Sequence, residues 1–287
     1  MRYAARSFWW DVKALLGTAG QTLARLTPVT RELARFLHRC LYPPKKNRSA
    51  AESSGTYARG SVVTRGGIKL CLHESLTNES IERLVSGRHT SNERKLIAEF
   101  LSPEDIVLEL GGGIGMVAIF IAQRIGSDRV FSFEGNPAMA PPVRENFVLN
   151  HVSPTMEFCM LDQFAGVQTF YICPQFNRSS TRRRTARDMA CRVPVRPLND
   201  ELRKRRPTFL IMDIQGSEGG LLEYVDFSGL DKLLVEYHPG VLGVRRVNHL
   251  RRFVRRRGFI EAARRGNCII YLRRVPPVPG GRCVANG

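Results

Sequence analysis

The residues with the clearest chemical meaning lie in Ile106-Val-Leu-Glu-Leu-Gly-Gly-Gly-Ile-Gly-Met116. A short apolar run, read as a strand over Ile106–Leu110, enters a glycine cluster and leaves as a helix over Ile114–Arg124. Glycines at such a turn let the backbone bend tightly and approach a ligand closely. The spacing is Gly111-x-Gly113-x-Gly115, and Met116 stands where a dinucleotide fingerprint needs its last glycine. Glu109, just ahead of the glycines, puts a carboxylate at the mouth of the turn. Beside a pyrophosphate that charge would repel; beside a cationic sulfonium or amino group it would attract. Glu134 ends the next strand, Val130–Glu134, where an acid can accept hydrogen bonds from ribose hydroxyls.

A second set of reactive groups lies further along. Asp213 closes the apolar run Phe209–Ile214, Glu218 stands near the start of the following helix, and Lys232–His238 ends in Glu236 and His238. The carboxyl ends of parallel strands face the crevice where ligands bind. Asp213, Glu236 and His238 are therefore the catalytic candidates, with His238 or Asp213 removing a proton, and Glu218 the candidate for positioning a substrate. Plainer roles compete: Glu218 can simply favour a helix N-terminus, and a lone histidine is often structural. By donor type the four could bridge a metal, but the expectation is a site that works without one.

These groups need a scaffold, and the pattern supplies one. Strands and helices alternate from Ile106 onward, with a helix at Pro137–Asn150 and strands at Met156–Leu161 and Thr169–Cys173. Residues 175–192 read as an arginine-rich loop, and Arg246–Arg257 as a helix stopped by Gly258. Phe259–Ala263 and Cys268–Leu272 form a closing hairpin. This predicts an α/β, Rossmann-like sheet, mostly parallel with an antiparallel C-terminal hairpin at its edge, plus an N-terminal helical extension. Residues 1–60 read as basic amphipathic helices and a linker, 61–274 as the α/β domain, and 275–287 as a flexible tail. Within the domain, 61–104 forms a cap: a hairpin at Ser61–Thr64 and Ile68–Leu72, then helices at Thr77–Val85 and Asn92–Phe100.

Charge narrows the partners. The chain of 287 residues carries 44 Lys and Arg against 26 Asp and Glu, a formal net charge of +18. The excess sits in residues 1–60, 178–206 and 245–274, leaving the remainder mildly acidic. Such stripes suit contact with a polyanion or an anionic membrane surface, or simply a solvated face. They lack the interleaved aromatics of a base-stacking platform. No apolar run is long enough to span a membrane. Seven scattered cysteines without a CxxC pair, and a start lacking a cleavable apolar signal, lead to an expected cytoplasmic location, with a peripheral position at a membrane as the variant.

Several blocks in order give a resemblance. From about residue 86 to 240 the chain resembles the FkbM-type methyltransferases, through Val107–Met116, Val130-Phe-Ser-Phe-Glu134-Gly-Asn136-Pro137, Arg144-Glu-Asn146-Phe-Val-Leu-Asn150, Val193–Leu202, Met212-Asp213-Ile-Gln-Gly216-Ser-Glu218 and Val235-Glu236-Tyr-His238-Pro239. The resemblance implies a class I methyltransferase fold, S-adenosylmethionine as cofactor, and methyl transfer to a hydroxyl of a saccharide or other small molecule. It implies that Glu93 faces the cofactor, and Asn136 and Asp162 join Glu109, Gly111, Gly113, Gly115 and Glu134 as cofactor-binding candidates. The family usually has Ala and Asn where this chain has Gly112 and Ile114 around Gly113, which would remove a polar contact near the cofactor. Gln215 replaces a usual Glu and Asn199 a usual Asp. The alternative is a nucleic-acid-binding protein, or an RNA methyltransferase, that uses the arginine stripes.

Overall fold

A computed structural model describes residues 58–274, apart from 75, 87–89 and 174–178. The tail expected at 275–287, and all but the last three residues of the extension expected at 1–60, lie outside them.

β1 (Val62–Arg65) and β2 (Ile68–Cys71) pair antiparallel. They are followed by α1 (Asn78–Val85), whose N-terminus Thr77 caps by accepting from Ser80 N, and by α2 (Ser91–Phe100). The central sheet then starts in its own middle. β3 (Val107–Leu110), α3 (Met116–Ile125), β4 (Val130–Phe133), α4 (Ala140–Leu149) and β5 (Thr155–Glu157) wind outward to one edge.

Next the chain leaves the sheet. β6 (Met160–Asp162), β7 (Gly166–Ile172) and β8 (Met189–Pro197) make a separate three-stranded sheet in the order β6-β8-β7. After α5 (Leu198–Arg205) it returns to the other side of β3 as β9 (Phe209–Met212). There follow α6 (Glu218–Tyr224), β10 (Lys232–Glu236), the short α7 (Pro239–Leu242), α8 (Val244–Arg256), β11 (Phe259–Arg265) and β12 (Cys268–Arg273). The seven strands stand in the order β11-β12-β10-β9-β3-β4-β5. Strands β10, β9, β3, β4 and β5 are mutually parallel, and β12 is antiparallel to both its neighbours.

Why the sheet is buried on both faces follows from its residues. Phe209 and Ile211 pack into one core with Ile97 of α2 and the apolar stretch Met116–Ala122 of α3. Leu210 and Met212 pack into the other, with Leu202 of α5, Leu222 of α6 and Leu250 of α8. Strand alternation thus sends successive side chains into two helical layers, and a continuous apolar run is what such a strand needs. At the foot of the sheet Asp105 accepts from Lys232 Nζ (2.7 Å) and from Thr208 Oγ1 (2.9 Å), tying β10 to the entry of β3.

Two expectations are corrected. Met156–Leu161 is not one strand: Phe158-Cys159 carries the chain between two sheets, so β5 and β6 belong to different ones. The loop expected to reach 192 ends at 188, because β8 begins at Met189. Val193 and Val195 are buried between outward Arg192, Pro194 and Arg196, a period-2 pattern masked by arginine-rich composition. The closing hairpin is present at the edge of the sheet, as expected. β12 inserts between β10 and β11, and β11 takes the edge.

Candidate functional site

The order of strands reverses between β3 and β9, so their carboxyl ends diverge into a crevice. The two ends touch first. Asp213 N donates to Leu110 O at 3.0 Å, and Gly111 N donates to Phe133 O at 2.8 Å. Gly111 has φ +91°, and a Cβ there would lie 1.8 Å from the carbonyl oxygen of Asp213. The contact with β9 alone demands glycine, whatever is bound. Gly115 is a packing residue, with Phe147 2.7 Å from where its Cβ would be.

Above the turn is a cleft enclosing about 1010 Å³, its open mouth included. Glu93 reaches it from α2, Glu109 from β3, Glu134 from beyond β4, Asp162 from the end of β6 and Asp213 from beyond β9. Gly111, Gly112 and Gly113 form its floor, and Leu110, Met116, Phe133, Leu161 and Phe170 supply apolar wall. Among the described residues, five carboxylates line it and no Lys, Arg or His does, in a chain whose net charge is +18.

Each acid is held differently. Glu134 Oε2 accepts from Gly113 N at 2.7 Å and Oε1 from Asn136 N at 2.6 Å. Burial nevertheless raises its pKa, against the pull of those two donors. Glu109 is buried, with Ser132 Oγ donating to Oε2 at 2.6 Å; burial outweighs that bond and pushes its pKa up to about 7. Glu93 is driven well above the usual carboxylate range by burial, then by the like charges of Asp213, Glu236 and Glu109. Asp213 is driven the same way by burial and Glu236. Such a group gains from any cation that enters.

Apart from Asp213, the second set gathers beside this cleft rather than in it. His238 Nδ1 is 2.9 Å from Glu218 Oε1, and His238 Nε2 is 3.6 Å from Asp213 Oδ1. Burial works against the charged imidazole, but the Glu218 bond and the nearby acids raise its pKa. Glu218 is fully buried and also accepts from Ile214 N and Gly216 N, so it fixes the turn after β9 as well as the imidazole. Of the expected cofactor set, Gly115 and Asn136 do not line the cleft. Asn136 caps the 3-10 turn Pro137–Met139 by accepting from Ala138 N.

Some lining residues escaped the sequence reading. Ser179, Ser180 and Thr181 hang over the cleft from the segment between β7 and β8, and Thr90 enters before α2. The hydroxyl run in an otherwise arginine-rich stretch was their one signal. Ile114 does not block the cleft: it is buried in the core, its carbonyl taken by Asn146 Nδ2 at 2.9 Å. Gln215, at φ +54°, donates from Nε2 to Asp213 Oδ1 at 3.0 Å, while Arg184 donates to its carbonyl at 2.7 Å.

Among known families, residues 79–169 match the one described as the TRM5/TYW2 methyltransferase domain. That segment runs from α1 through most of β7 and contains the glycine turn, Glu109 and Glu134. The matching family is thus not the FkbM type that the sequence blocks resemble. No curated protein matches. Solved structures similar in arrangement include TYW2 of M. jannaschii in complex with AdoMet, at 15% identity, 76% of this chain, 88% of that chain and TM-score 0.39. Another is TYW2 of P. horikoshii in complex with MeSAdo, at 14% identity, 76% of this chain, 71% of that chain and TM-score 0.40. A third is precorrin-6y C5,15-methyltransferase of Geobacter metallireducens GS-15, at 12% identity, 63% of this chain, 88% of that chain and TM-score 0.39. At these scores the likeness adds nothing to what the strand order already gives.

Proposed function

We propose that this chain is an S-adenosylmethionine-dependent methyltransferase acting on an acceptor oxygen. One observation carries the reading: among the described residues, the crevice at the switch point is lined by five carboxylates and by no cationic side chain. A dinucleotide pyrophosphate would meet repulsion there, whereas a sulfonium and an ammonium group would be stabilised. The residues fit such a ligand. Glu93, Glu109 and Asp213 would face its positive charges, Glu134 and Asp162 would offer acceptors to ribose hydroxyls, and Phe133 and Leu161 would cover apolar surface. The bound cofactor would supply the methyl group; the protein supplies alignment, which can be worth roughly 7–11 kcal/mol. His238 or Asp213 would accept the proton of the acceptor hydroxyl. The match over residues 79–169 supports the cofactor half of this reading.

For the acceptor, the FkbM-like blocks support a saccharide or other small-molecule hydroxyl. A second reading, an RNA acceptor, is favoured by the arginines of residues 182–206 and α8, many of them exposed. The TRM5/TYW2 match ends before both regions, so it speaks to the cofactor side. Calorimetry with S-adenosylmethionine, S-adenosylhomocysteine and NAD⁺ tests the main reading. Binding of the first two and not the third is expected; NAD⁺ binding alone, or no binding at all, overturns it. Steeply salt-dependent retention of mixed RNA by the cofactor-loaded protein would move the acceptor to the second reading.

A further inference from the structure

The corner formed by Asp213, Glu236 and His238 has the makings of a site that the methyl-transfer reading does not use up. Asp213 follows β9, Glu236 ends β10 and His238 follows it, so neighbouring parallel strands deliver all three. One ligand atom from each lies within 4.8 Å of the others. Glu236 and His238 do not line the cofactor cleft, so a cation bound there would leave them unneutralised.

The imidazole is set up as a ligand. Glu218, fully buried, takes its Nδ1, which leaves Nε2 turned toward Asp213. A carboxylate on the far nitrogen is the usual support of a metal-binding histidine. The Nε2 to Oδ1 separation of 3.6 Å is long for a hydrogen bond. It is close to the ~3.4 Å expected of two ligands ~2.1 Å from one ion at a tetrahedral angle.

Charge points the same way. Among the described residues, neither Asp213 nor Glu236 pairs with a Lys or Arg. Glu93, only 3% exposed, has no hydrogen bond or ion pair among those residues, and Asp213 and Glu236 are its strongest charged neighbours. Three acids converge with a single imidazole between them. Glu93 is buried and Asp213 and Glu236 are half-buried, and acids drawn together this far out of bulk water favour a positive charge among them.

We infer that Asp213, Glu236 and His238 bind a divalent transition cation on the acceptor side of the cofactor cleft. The imidazole favours Mn²⁺ or Zn²⁺ over Mg²⁺, whose preference is for oxygen alone. This goes beyond the methyl-transfer reading, because the ion would bind whether or not the cofactor does. It also gives His238 a holding role in place of proton acceptance, since Nε2 cannot do both.

The test uses the full chain stripped with chelator, titrated with Mn²⁺ by calorimetry and by loss of the free-ion paramagnetic resonance signal, then with Zn²⁺. Saturable uptake is expected, weakened at least tenfold in Glu236→Gln and in His238→Gln, with folding of each followed by circular dichroism. If one variant unfolds, the other carries the comparison. Absence of uptake by the unaltered chain overturns the site, as does uptake equal in both variants. Binding of S-adenosylmethionine is measured separately in chelated buffer, so failure of the metal site and failure of the methyltransferase reading are told apart.

Discussion

The carboxylate of Glu134 holds the backbone N–H of Gly113 at 2.7 Å, so the acid beyond β4 clamps the glycine turn beyond β3. Its other oxygen holds Asn136 N at 2.6 Å, which leaves further lone pairs on both oxygens free to meet a ligand. Hydrogen bonds to a charged group contribute about 1.5–3 kcal/mol each. Replacing Glu134 with Ala should therefore cost about 3 kcal/mol of stability and weaken S-adenosylmethionine binding at least tenfold. Urea denaturation and calorimetry check the two effects. Unchanged cofactor affinity in a loosened but folded variant would make Glu134 a clamp only.

Glu109 should imprint itself on the pH profile. Its folded-state pKa is about 7, above its ordinary 4.5, because burial disfavours the charge. Between those values the folded chain keeps a proton that the unfolded chain has released. The ligand-free protein should thus lose stability as pH rises from about 4.5 to 7, by roughly 3 kcal/mol from this group. In Glu109→Gln that part of the slope should vanish, as read by denaturation midpoints at pH 5 and 8. A cationic ligand favours the ionised form, so binding near neutral pH should release protons. Calorimetry in buffers of different ionisation enthalpy would show it, and absence of release would separate Glu109 from the ligand's charge.

The middle of the central sheet was legible because β3, β4, β9 and β10 are short, largely apolar runs closed by a polar or glycine break, as in Phe209–Met212 before Asp213. The glycine turn and its acids were legible for the same reason: Glu109 and Glu134 occupy strand ends, and strand ends converge. The three-stranded sheet was not. Its β8 hides two buried valines among arginines and prolines. The lining role of Ser179–Thr181 depends on β7 and β8 folding back over the cleft, a long-range pairing with no local mark in the sequence. Gly115 and Asn136 mark the limit of spacing, which shows that a glycine or a cap is required but not which neighbour requires it.

Two glycines with similar torsions should respond very differently to a methyl group. Gly67, at φ +81°, has nothing within 4 Å of its Cβ position, so Gly67→Ala should cost about 1–2 kcal/mol from torsion alone. Gly111→Ala adds a clash with a backbone oxygen that β9 cannot move without breaking Asp213 N from Leu110 O. Its cost should exceed about 4 kcal/mol and leave little folded protein. Chemical denaturation of the pair separates steric demand from torsional preference. Similar losses would mean that the β3 and β9 ends part easily.

Asn146 should couple the cap to the cofactor turn. Fully buried in α4, it accepts from Cys71 N at 2.8 Å and donates to Ile114 O at 2.9 Å, so one amide bridges β2 and the loop before α3. Neither backbone group has water at hand. Asn146→Ala would leave both unsatisfied, at about 1–3 kcal/mol apiece. Asn146→Asp would keep the acceptor for Cys71 N but set a carboxylate against the Ile114 carbonyl. Hydrogen exchange at the Cys71 amide should therefore quicken strongly in the Ala variant and less in the Asp variant. Cofactor affinity should fall in both, because each frees the turn that carries Gly113. Quickened exchange with unchanged affinity would show that the hairpin leans on the domain without steadying its site.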